Sequence, residues 1–594
     1  MAQALLRFLA AQRVERDGVE GRFFEGCFGI FGHGNVAGFG QALHQHQDLL
    51  PYHQARNEQS MVHTAAAFAR ARNRLATYAC TASIGPGALN LITGAAAATV
   101  NRLPVLLLPG DVFAGRAPDP VLQQLEVSGR GEISVNDAFQ AVSRYWDRIT
   151  RPEQLIPAAL AAMRVLTSPA ETGAVTLCLP QDVQTEAFDY PAEFLAERTW
   201  HIPRPMPDLA AFARVGALIA ASRRPLIVAG GGVLYSEATV QLSEFAERSG
   251  IPVAETQAGK GCLRWDHPLN LGGIGVTGSS AANRVAAEAD LVLGIGTRWT
   301  DFTTSSRTAF PLARLVSINV AELDSHKHES VPLTGDARQV LEMLTALEYR
   351  TTDAYRLECR RLGEEWRREV DRLRGLEAGP RPLQPALIGA VNDAAGELGT
   401  VVCAAGSMPG DLHKLWRTPG PGGYHVEYGF STMGYEIAGA LGVKLAAPAR
   451  DVYAMVGDGS YLMLSEALVT SLEMRAKLVV VLVDNGGYAS IGSLSRSLGT
   501  EGFGTAYPPA DLAANAESLG VAVLKADTLE EFRAALEEAR AIPRTVVIHV
   551  RTDPGPGVPD YGGWWEVPVA EVSETPAVSD ARRRYDEELK KRRG

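Results

Sequence analysis

The sequence contains little cysteine and has no excess of basic residues. Only six of its 594 residues are cysteine, and none of them form a Cys-x-x-Cys pair, so neither a zinc site nor a disulfide framework is indicated. The formal net charge is -11, which excludes a general basic field for nucleic acid or an anionic membrane surface. We therefore expect a cytoplasmic protein with no nucleic-acid or membrane partner.

Long apolar runs and several common catalytic motifs are also missing. The run "LVVVLV", 478–483, is far too short to span a bilayer, and Arg7 and Arg13 interrupt the N-terminal segment where a signal peptide would be continuously apolar. The sequence has neither a Gly-x-Ser-x-Gly elbow nor a Gly-x-x-x-x-Gly-Lys-Ser/Thr loop. These absences argue against a serine hydrolase of the elbow type and a P-loop nucleotidase.

A unit of apolar strand, glycine-bearing turn and helix recurs along the chain, as in "RPLIVAGGGVLYSEATVQLSEFAERSG". Continuous apolar strands that alternate with helices predict parallel sheets covered on both faces. Proline-rich segments typical of interdomain linkers lie at 199–208 and 375–385. They predict three α/β domains, followed by a tail; the bounds are 1–190, 205–350, 385–560 and 561–594.

One turn in the third domain carries an acidic residue at a strand end. Gly457-Asp458-Gly459-Ser460 follows the apolar run "YAMV", and Asn485 follows the next apolar run, one helix and one strand later. In a parallel sheet the two strand ends lie side by side, so the Asp458 and Asn485 oxygens should meet. Such oxygens suit Mg2+, and the glycines and the helix N-terminus suit a diphosphate. The turn on its own would be ordinary, because glycine and aspartate are common turn residues.

"GDGS" followed at this spacing by "DN" resembles the cofactor motif of the thiamine diphosphate enzymes. The resemblance implies that Asp458, Asn485 and the main-chain carbonyl of Gly487 bind Mg2+. It also places Gly457, Gly459 and Ser460 against thiamine diphosphate. Many members of the family have a second asparagine where this chain has Asp484, a position that is not the usual ligand.

Three further segments resemble parts of the same family. "YHQARNEQSMVHTAAAFARA" supplies Glu58, which the resemblance assigns to the cofactor's aminopyrimidine ring as the activating carboxyl. "EYGFSTMGYEIAGALG" supplies Met433 as the residue that bends the cofactor, and "CAAGSMPGDL" supplies Gly406 and Ser407 near the diphosphate. Taken alone, Glu58 is also typical of a helix N-terminus, and Met433 of core packing.

Further sequence segments, among them "IFGHGNVAG", "ETQAGK" and "SMPGDL", resemble segments of the hydrolases of inositol catabolism. Those enzymes open the ring of 3D-(3,5/4)-trihydroxycyclohexane-1,2-dione, a cyclic diketone, to 5-deoxyglucuronic acid. The resemblance implies that His33 faces the reacting carbon and that Asn35 and Gln124 contact the substrate more weakly. It also implies a homodimer or homotetramer with the active site between subunits.

The implied fold class is α/β, with three doubly wound parallel-sheet domains: pyrimidine-binding, central and diphosphate-binding. The glycines of "IVAGGGVLYSEA" in the central domain are interpreted as architectural, since they lack a clean Gly-x-Gly-x-x-Gly. Two alternatives remain open. One is an acetolactate synthase-like carboligase or 2-keto acid decarboxylase; the other is a catalytically silent member of the fold.

Overall fold

The computed structural model describes residues 1–377, 379–553 and 557–591. The last three residues of the predicted tail, 592–594, and residues 554–556 of the predicted third domain lie outside this part. Within these described ranges, no helix combines the length and apolar character needed to cross a membrane. Three six-stranded parallel sheets account for most strands, which confirms the predicted α/β fold class.

The first domain contains a large parallel sheet and a small second sheet. Its strands are β1 Gln12–Arg16, β2 Val19–Arg22, β3 Phe24–Gly29, β4 Tyr52–Gln54, β5 Thr77–Ala82, β6 Val105–Asp111, β7 Tyr145–Arg148, β8 Ala174–Pro180 and β9 Arg198–His201. Its helices are α1 Ala2–Ala10, α2 Gln41–Gln45, α3 Glu58–Ala71, α4 Pro86–Asn90, α5 Ile92–Val100, α6 Leu155–Leu166, α7 Gln181–Thr185 and α8 Ala192–Leu195. The large sheet has the order β4-β3-β5-β6-β8-β7, and β2-β1-β9 form the small one. Because β9 pairs with β1, this unit continues past the boundary predicted at residue 190.

The central domain is a six-stranded sheet with helices on both faces. Its strands are β10 Pro225–Ala229, β11 Val253–Glu255, β12 Asn270–Gly273, β13 Leu291–Ile295, β14 Arg314–Asn319 and β15 Val331–Thr334. Its helices are α9 Leu209–Ala221, α10 Gly231–Tyr235, α11 Thr239–Ser249, α12 Ser280–Glu288, α13 Asp301–Thr304, α14 Glu322–Ser325, α15 Ala337–Thr345 and α16 Asp353–Arg374. The strand order is β12-β11-β10-β13-β14-β15.

The third domain and the tail complete the chain. The strands are β16 Gly399–Cys403, β17 Tyr424–Val426, β18 Asp451–Gly457, β19 Val479–Asp484, β20 Ala522–Ala526 and β21 Val546–Arg551. The helices are α17 Gln384–Ala395, α18 Met408–Leu415, α19 Tyr435–Ala446, α20 Asp458–Met463, α21 Ala467–Glu473, α22 Ala489–Ser497, α23 Leu512–Ser518, α24 Leu529–Ala541 and α25 Pro576–Leu589. The strand order is β17-β16-β18-β19-β21-β20.

The first and third large sheets have the same strand order, and the central sheet has a different one. Numbering the strands within each sheet along the chain, the first and third both read 2-1-3-4-6-5, and the central sheet reads 3-2-1-4-5-6. In all three, the order reverses beside the first strand, and ligands of open α/β sheets bind at such reversal points. In the first and third domains, α3 and α19 both follow the second strand and so occupy equivalent places.

The glycines after β10 pack against the backbone of the neighbouring strand end. A Cβ atom at Gly232 would lie 2.6 Å from the Gly296 Cα atom, and one at Gly230 would lie 2.4 Å from the Gly296 carbonyl oxygen. The two loops therefore approach so closely that only glycine fits. This contact supports the architectural interpretation of the central glycines.

Candidate active site

The carboxyl edge of the third sheet brings Asp458 and the Asn485 loop together. Strands β18 and β19 pair in parallel, so their ends at Gly457 and Asp484 lie side by side. The Oδ2 atom of Asp458 accepts hydrogen bonds from the main-chain amides of Gly486 (2.8 Å) and Gly487 (3.0 Å). The predicted meeting of these two segments is therefore present in the folded chain.

Two carboxyl groups lie close together at this edge. Asp458 is only 1% exposed, and burial raises its pKa from the usual aspartate value. Asp484 accepts a hydrogen bond from His549 at 2.9 Å, and this bond is the main cause that lowers the pKa of Asp484. Because burial and the neighbouring carboxylate both disfavour a charged Asp458, a cation bound here would relieve the electrostatic cost.

Asn485 supplies the observation that tests whether the residues fit Mg2+. Its Oδ1 atom is buried and has no hydrogen-bond partner among the described residues. Buried polar atoms normally have partners, so an unpaired amide oxygen in the loop that contacts the Asp458 carboxylate fits a missing ligand. The Gly487 carbonyl accepts one hydrogen bond from the Ala489 amide at 3.1 Å and retains a second lone pair. The donor set therefore fits an oxygen-preferring divalent cation.

The loop after β16 is open on the side predicted to face the diphosphate. Gly406 has a φ of +87°, and no heavy atom lies within 4 Å of a Cβ placed there. Ser407 is exposed, and its hydroxyl donates to Gln384 at 3.1 Å. A left-handed glycine with empty space beside it is suited to a ligand that approaches the backbone.

Met433 projects from the loop that leads into α19. Its side chain is 48% exposed, so the alternative that it packs in the core is wrong. Gly434, which follows it, has a φ of +85°, a left-handed conformation that favours glycine. Met433 is thus held out from the domain, as the prediction of a cofactor-bending residue requires.

Glu58 is the first residue of α3 in the first domain, as predicted. Asn57 caps the helix through bonds from the Gln59 and Ser60 amides, and the Asn90 side chain donates to Glu58 Oε2 at 3.1 Å. A Cβ at Gly87 would lie 3.2 Å from Glu58 Oε1, so a side chain at that position would crowd the carboxylate. The contact between Asn90 and Glu58 is one that the sequence alone did not predict.

The three residues predicted to approach the substrate differ in how free their side chains are to contact a ligand. His33 is exposed, and its Nε2 atom lies 3.1 Å from the Leu122 carbonyl oxygen. Asn35 is buried, with its amide bonded to Gly32, Ile30 and Thr81, so its side chain holds the loop and is not free for a substrate. Gln124 is bonded to Asp119 and to the Val121 amide.

Sequence reasoning missed Glu436, which lies in the first turn of α19 and bonds to loops that are predicted to hold the cofactor. It accepts a hydrogen bond from the Ser460 hydroxyl at 2.8 Å. The proton of the Ser460 hydroxyl, a predicted cofactor contact, therefore points to Glu436. The signal was available, because a glutamate interrupts the otherwise apolar stretch "YEIAGALG".

Models of one enzyme family match all three domains. The N-terminal thiamine pyrophosphate (TPP) binding domain matches residues 2–129, the central domain 212–344, and the C-terminal TPP binding domain 404–550. Thiamine pyrophosphate is the same compound as thiamine diphosphate. The chain belongs to the thiamine pyrophosphate enzyme family, as the sequence predicts.

Several proteins that share one name are similar to the chain over nearly its whole length. A 3D-(3,5/4)-trihydroxycyclohexane-1,2-dione hydrolase of Geobacillus thermodenitrificans is 46% identical, over 99% of this chain and 98% of that protein. The two hydrolases of the same name, 1 and 2, from a strain of Bacillus cereus are each 46% identical, over 98% of this chain and 97% of each protein.

Proposed function

We propose that this chain is a thiamine diphosphate- and Mg2+-dependent hydrolase. It cleaves a ring carbon–carbon bond of 3D-(3,5/4)-trihydroxycyclohexane-1,2-dione and gives 5-deoxyglucuronic acid in myo-inositol degradation. The observation that carries the proposal is the 46% identity to a hydrolase of that name over 99% of this chain. The presence of Glu58, Asp458 and Asn485 supports an active enzyme over a silent member of the family.

In the proposed site, the third domain binds the metal and the diphosphate. Asp458, Asn485 and the Gly487 carbonyl bind Mg2+, and the unpaired Asn485 Oδ1 atom supports this role. Met433 supports the bent form of the cofactor. The residues of the strand-end segments that would hold the diphosphate are Gly406, Ser407, Gly457, Gly459 and Ser460.

The first domain carries the groups that move protons. When bound, thiamine diphosphate supplies an electron sink for breaking a bond beside a carbonyl. The Glu58 carboxyl holds a proton at a ring nitrogen of the cofactor, and Asn90 orients that carboxyl. His33 exchanges protons with the substrate, because imidazole does so readily near neutral pH. Gln124 is a weaker substrate contact.

We further propose a homodimer or homotetramer whose active sites lie between subunits. Glu58 and Asp458 lie in different domains and share no hydrogen bond in the described part of the chain. Large apolar side chains are exposed around the diphosphate loops, which is typical of a surface covered by a partner. They are Phe430, Met433, Leu462, Met463, Tyr488, Ile491 and Phe503.

A cytoplasmic location is part of the proposal. All six cysteines are free and buried. Proteins of oxidising compartments commonly use cysteine in disulfides, and cytosolic ones keep it reduced. Free buried cysteines therefore support a reducing compartment.

The test uses the full chain after removal of metal and cofactor. The protein is incubated with the trihydroxycyclohexanedione, with and without thiamine diphosphate and Mg2+, and loss of the diketone absorbance is followed. We expect loss only when both are present, and no turnover with Glu58→Gln. Conversion of pyruvate to acetolactate without consumption of the dione would instead establish the carboligase.

A further inference from the structure

Glu436 is a fully buried carboxyl group in the first turn of α19. Its side chain is 0% exposed, and it accepts three hydrogen bonds from outside its own residue. The Ala405 amide donates to Oε1 at 3.2 Å, and the Gly434 amide (3.1 Å) and the Ser460 hydroxyl (2.8 Å) donate to Oε2. The donors lie in three separate segments, which we call the three loops: the loop after β16, the loop before α19, and the Gly-Asp-Gly-Ser turn that runs into α20.

The three donors are the neighbours of the proposed cofactor contacts. Ala405 precedes Gly406 in the loop after β16, Gly434 follows Met433, and Ser460 is the last residue of the Gly-Asp-Gly-Ser turn. One carboxylate therefore links the loop of the diphosphate cradle, the loop of the bending residue and the turn that contains Asp458.

The Ser460 hydroxyl is part of this link. It donates to Glu436 and accepts from the Gly434 amide at 2.7 Å. Its single proton is therefore used in the hydrogen bond to Glu436 and cannot be donated to a ligand. Ser460 joins two loops through its side chain and has only its backbone amide left to donate to a diphosphate.

Stability alone is a poor reason for a carboxyl group at this position. Burial raises the pKa of Glu436 to about 7, which reflects the cost of removing a charge from water. Apolar side chains often replace such groups with no loss of stability. Polar groups that break the local pattern in this way are concentrated at functional sites, where they hold loops in place.

We propose that Glu436 is a positioning residue for thiamine diphosphate, which it holds indirectly by fixing the Ala405, Gly434 and Ser460 loops in one arrangement. The inference rests on the proposed function, because it assumes that these loops bind the cofactor. Glu436 itself touches neither the cofactor nor the substrate.

The test measures ligand binding and loop exchange in Glu436→Gln. Glutamine has nearly the same shape, but an NH2 group replaces one of the two acceptor oxygens. That NH2 group would face at least one of the three donors and could not accept its hydrogen bond. We expect the affinity for thiamine diphosphate, and for magnesium pyrophosphate as a probe of the diphosphate site alone, to fall roughly 10- to 100-fold. With saturating cofactor, kcat should fall less than the cofactor KM rises. Hydrogen exchange should speed up in all three loops together.

Glu255→Gln is the matched control. Glu255 is 1% exposed and accepts from the Gly261 and Leu263 amides and the Asn270 side chain, but it lies in the central domain. This variant should lose at least as much stability, because it also removes the charge that offsets the buried Lys260, while its cofactor affinity stays within about twofold of the wild type. Ser460→Ala removes one link without altering a charge, and we expect it to weaken cofactor binding by a smaller factor than Glu436→Gln.

The outcomes separate this inference from the proposed function. A wild-type chain that binds the cofactor, together with Glu436→Gln and Ser460→Ala variants that bind it equally well, overturns the inference alone. Exchange that speeds up in only one loop also overturns it. Wild-type binding without cleavage of the dione overturns the proposed substrate and leaves the inference standing. If the wild type binds neither ligand, both are overturned.

Discussion

At the scale of single residues, the pKa values of two neighbouring carboxyl groups at the edge of the third sheet are shifted in opposite directions. Burial raises the pKa of Asp458, and His549 lowers that of Asp484. Glu436 is fully buried, and burial outweighs its hydrogen bonds and raises its pKa to about 7. The group that faces the proposed metal and the group that joins the loops are thus both buried, for different purposes.

The raised pKa of Glu436 predicts how stability depends on pH. Its ordinary value is 4.5, so between about 4.5 and 7 the folded protein binds more protons than the unfolded chain. The contribution of Glu436 is therefore fully present below 4.5 and is lost as the pH rises through 7. We expect the wild type to lose about 3 kcal/mol relative to Glu436→Gln across this window, measured by denaturant unfolding of both proteins. Parallel pH curves for the two proteins would contradict the assignment.

At the scale of elements, helix α3 of the first domain packs against helix α19 of the third. Thr64 donates to the Ala438 carbonyl at 3.0 Å, and the His63 and Tyr435 rings meet edge to face at 5.2 Å. The helices approach so closely that a Cβ at Gly442 would lie 2.2 Å from the Thr64 carbonyl oxygen. Because Glu58 begins α3 and Met433 lies just before α19, this packing fixes the two residues relative to each other within one chain, although in the proposed dimer they serve different sites.

Gly442→Ala tests this contact. The added methyl group has no room against Thr64, so the helices must separate, and overpacking of this kind costs about 1–3 kcal/mol. We expect a lower thermal unfolding midpoint. Gly216→Ala is the control, since its Cβ would meet nothing closer than 3.7 Å in helix α9. Alanine is favoured over glycine in a helix, so Gly216→Ala should be neutral or stabilising. Equal effects of the two substitutions would show that helix propensity alone is responsible.

At the scale of the whole molecule, the proposed site requires two copies of the chain. Glu58 belongs to the first domain and Asp458 to the third, and the proposal places the Glu58 of one subunit opposite the Asp458 of another. A symmetric dimer then contains two equivalent sites, each built from both chains. Variants in different domains should therefore complement each other.

Co-expression of Glu58→Gln with Asp458→Asn tests this arrangement. Each variant alone should be inactive, because every site then lacks one of the two groups. In a random mixture half of the dimers are mixed, and each mixed dimer has one intact site. The mixture should therefore recover about a quarter of wild-type dione cleavage. An inactive mixture whose chains do associate would place the whole site within one subunit.

The sequence predicted the architecture well because its signals are local. Apolar strand runs, glycine turns and helical patterns recur within short windows, and they indicated three parallel-sheet domains before any contact was known. The approach of the Asp458 turn to the loop after β19 was also predictable, because consecutive parallel strands place their ends together. The first domain extends beyond residue 190 because β9, at the start of the proline-rich segment, pairs with β1 far away in the chain.

The sequence by itself predicted the three-domain architecture, the family and the strand-end turn that we propose binds the metal, since each depends on residue order over a few tens of positions. Only the tertiary structure showed that Glu436 joins three loops and that the Asn35 side chain is bonded to its own loop and to Thr81 of β5. It also showed that Ser460 directs its hydroxyl inward. These roles depend on partners in separate loops, and a buried polar side chain acquires its role from the donors and acceptors that folding brings to it.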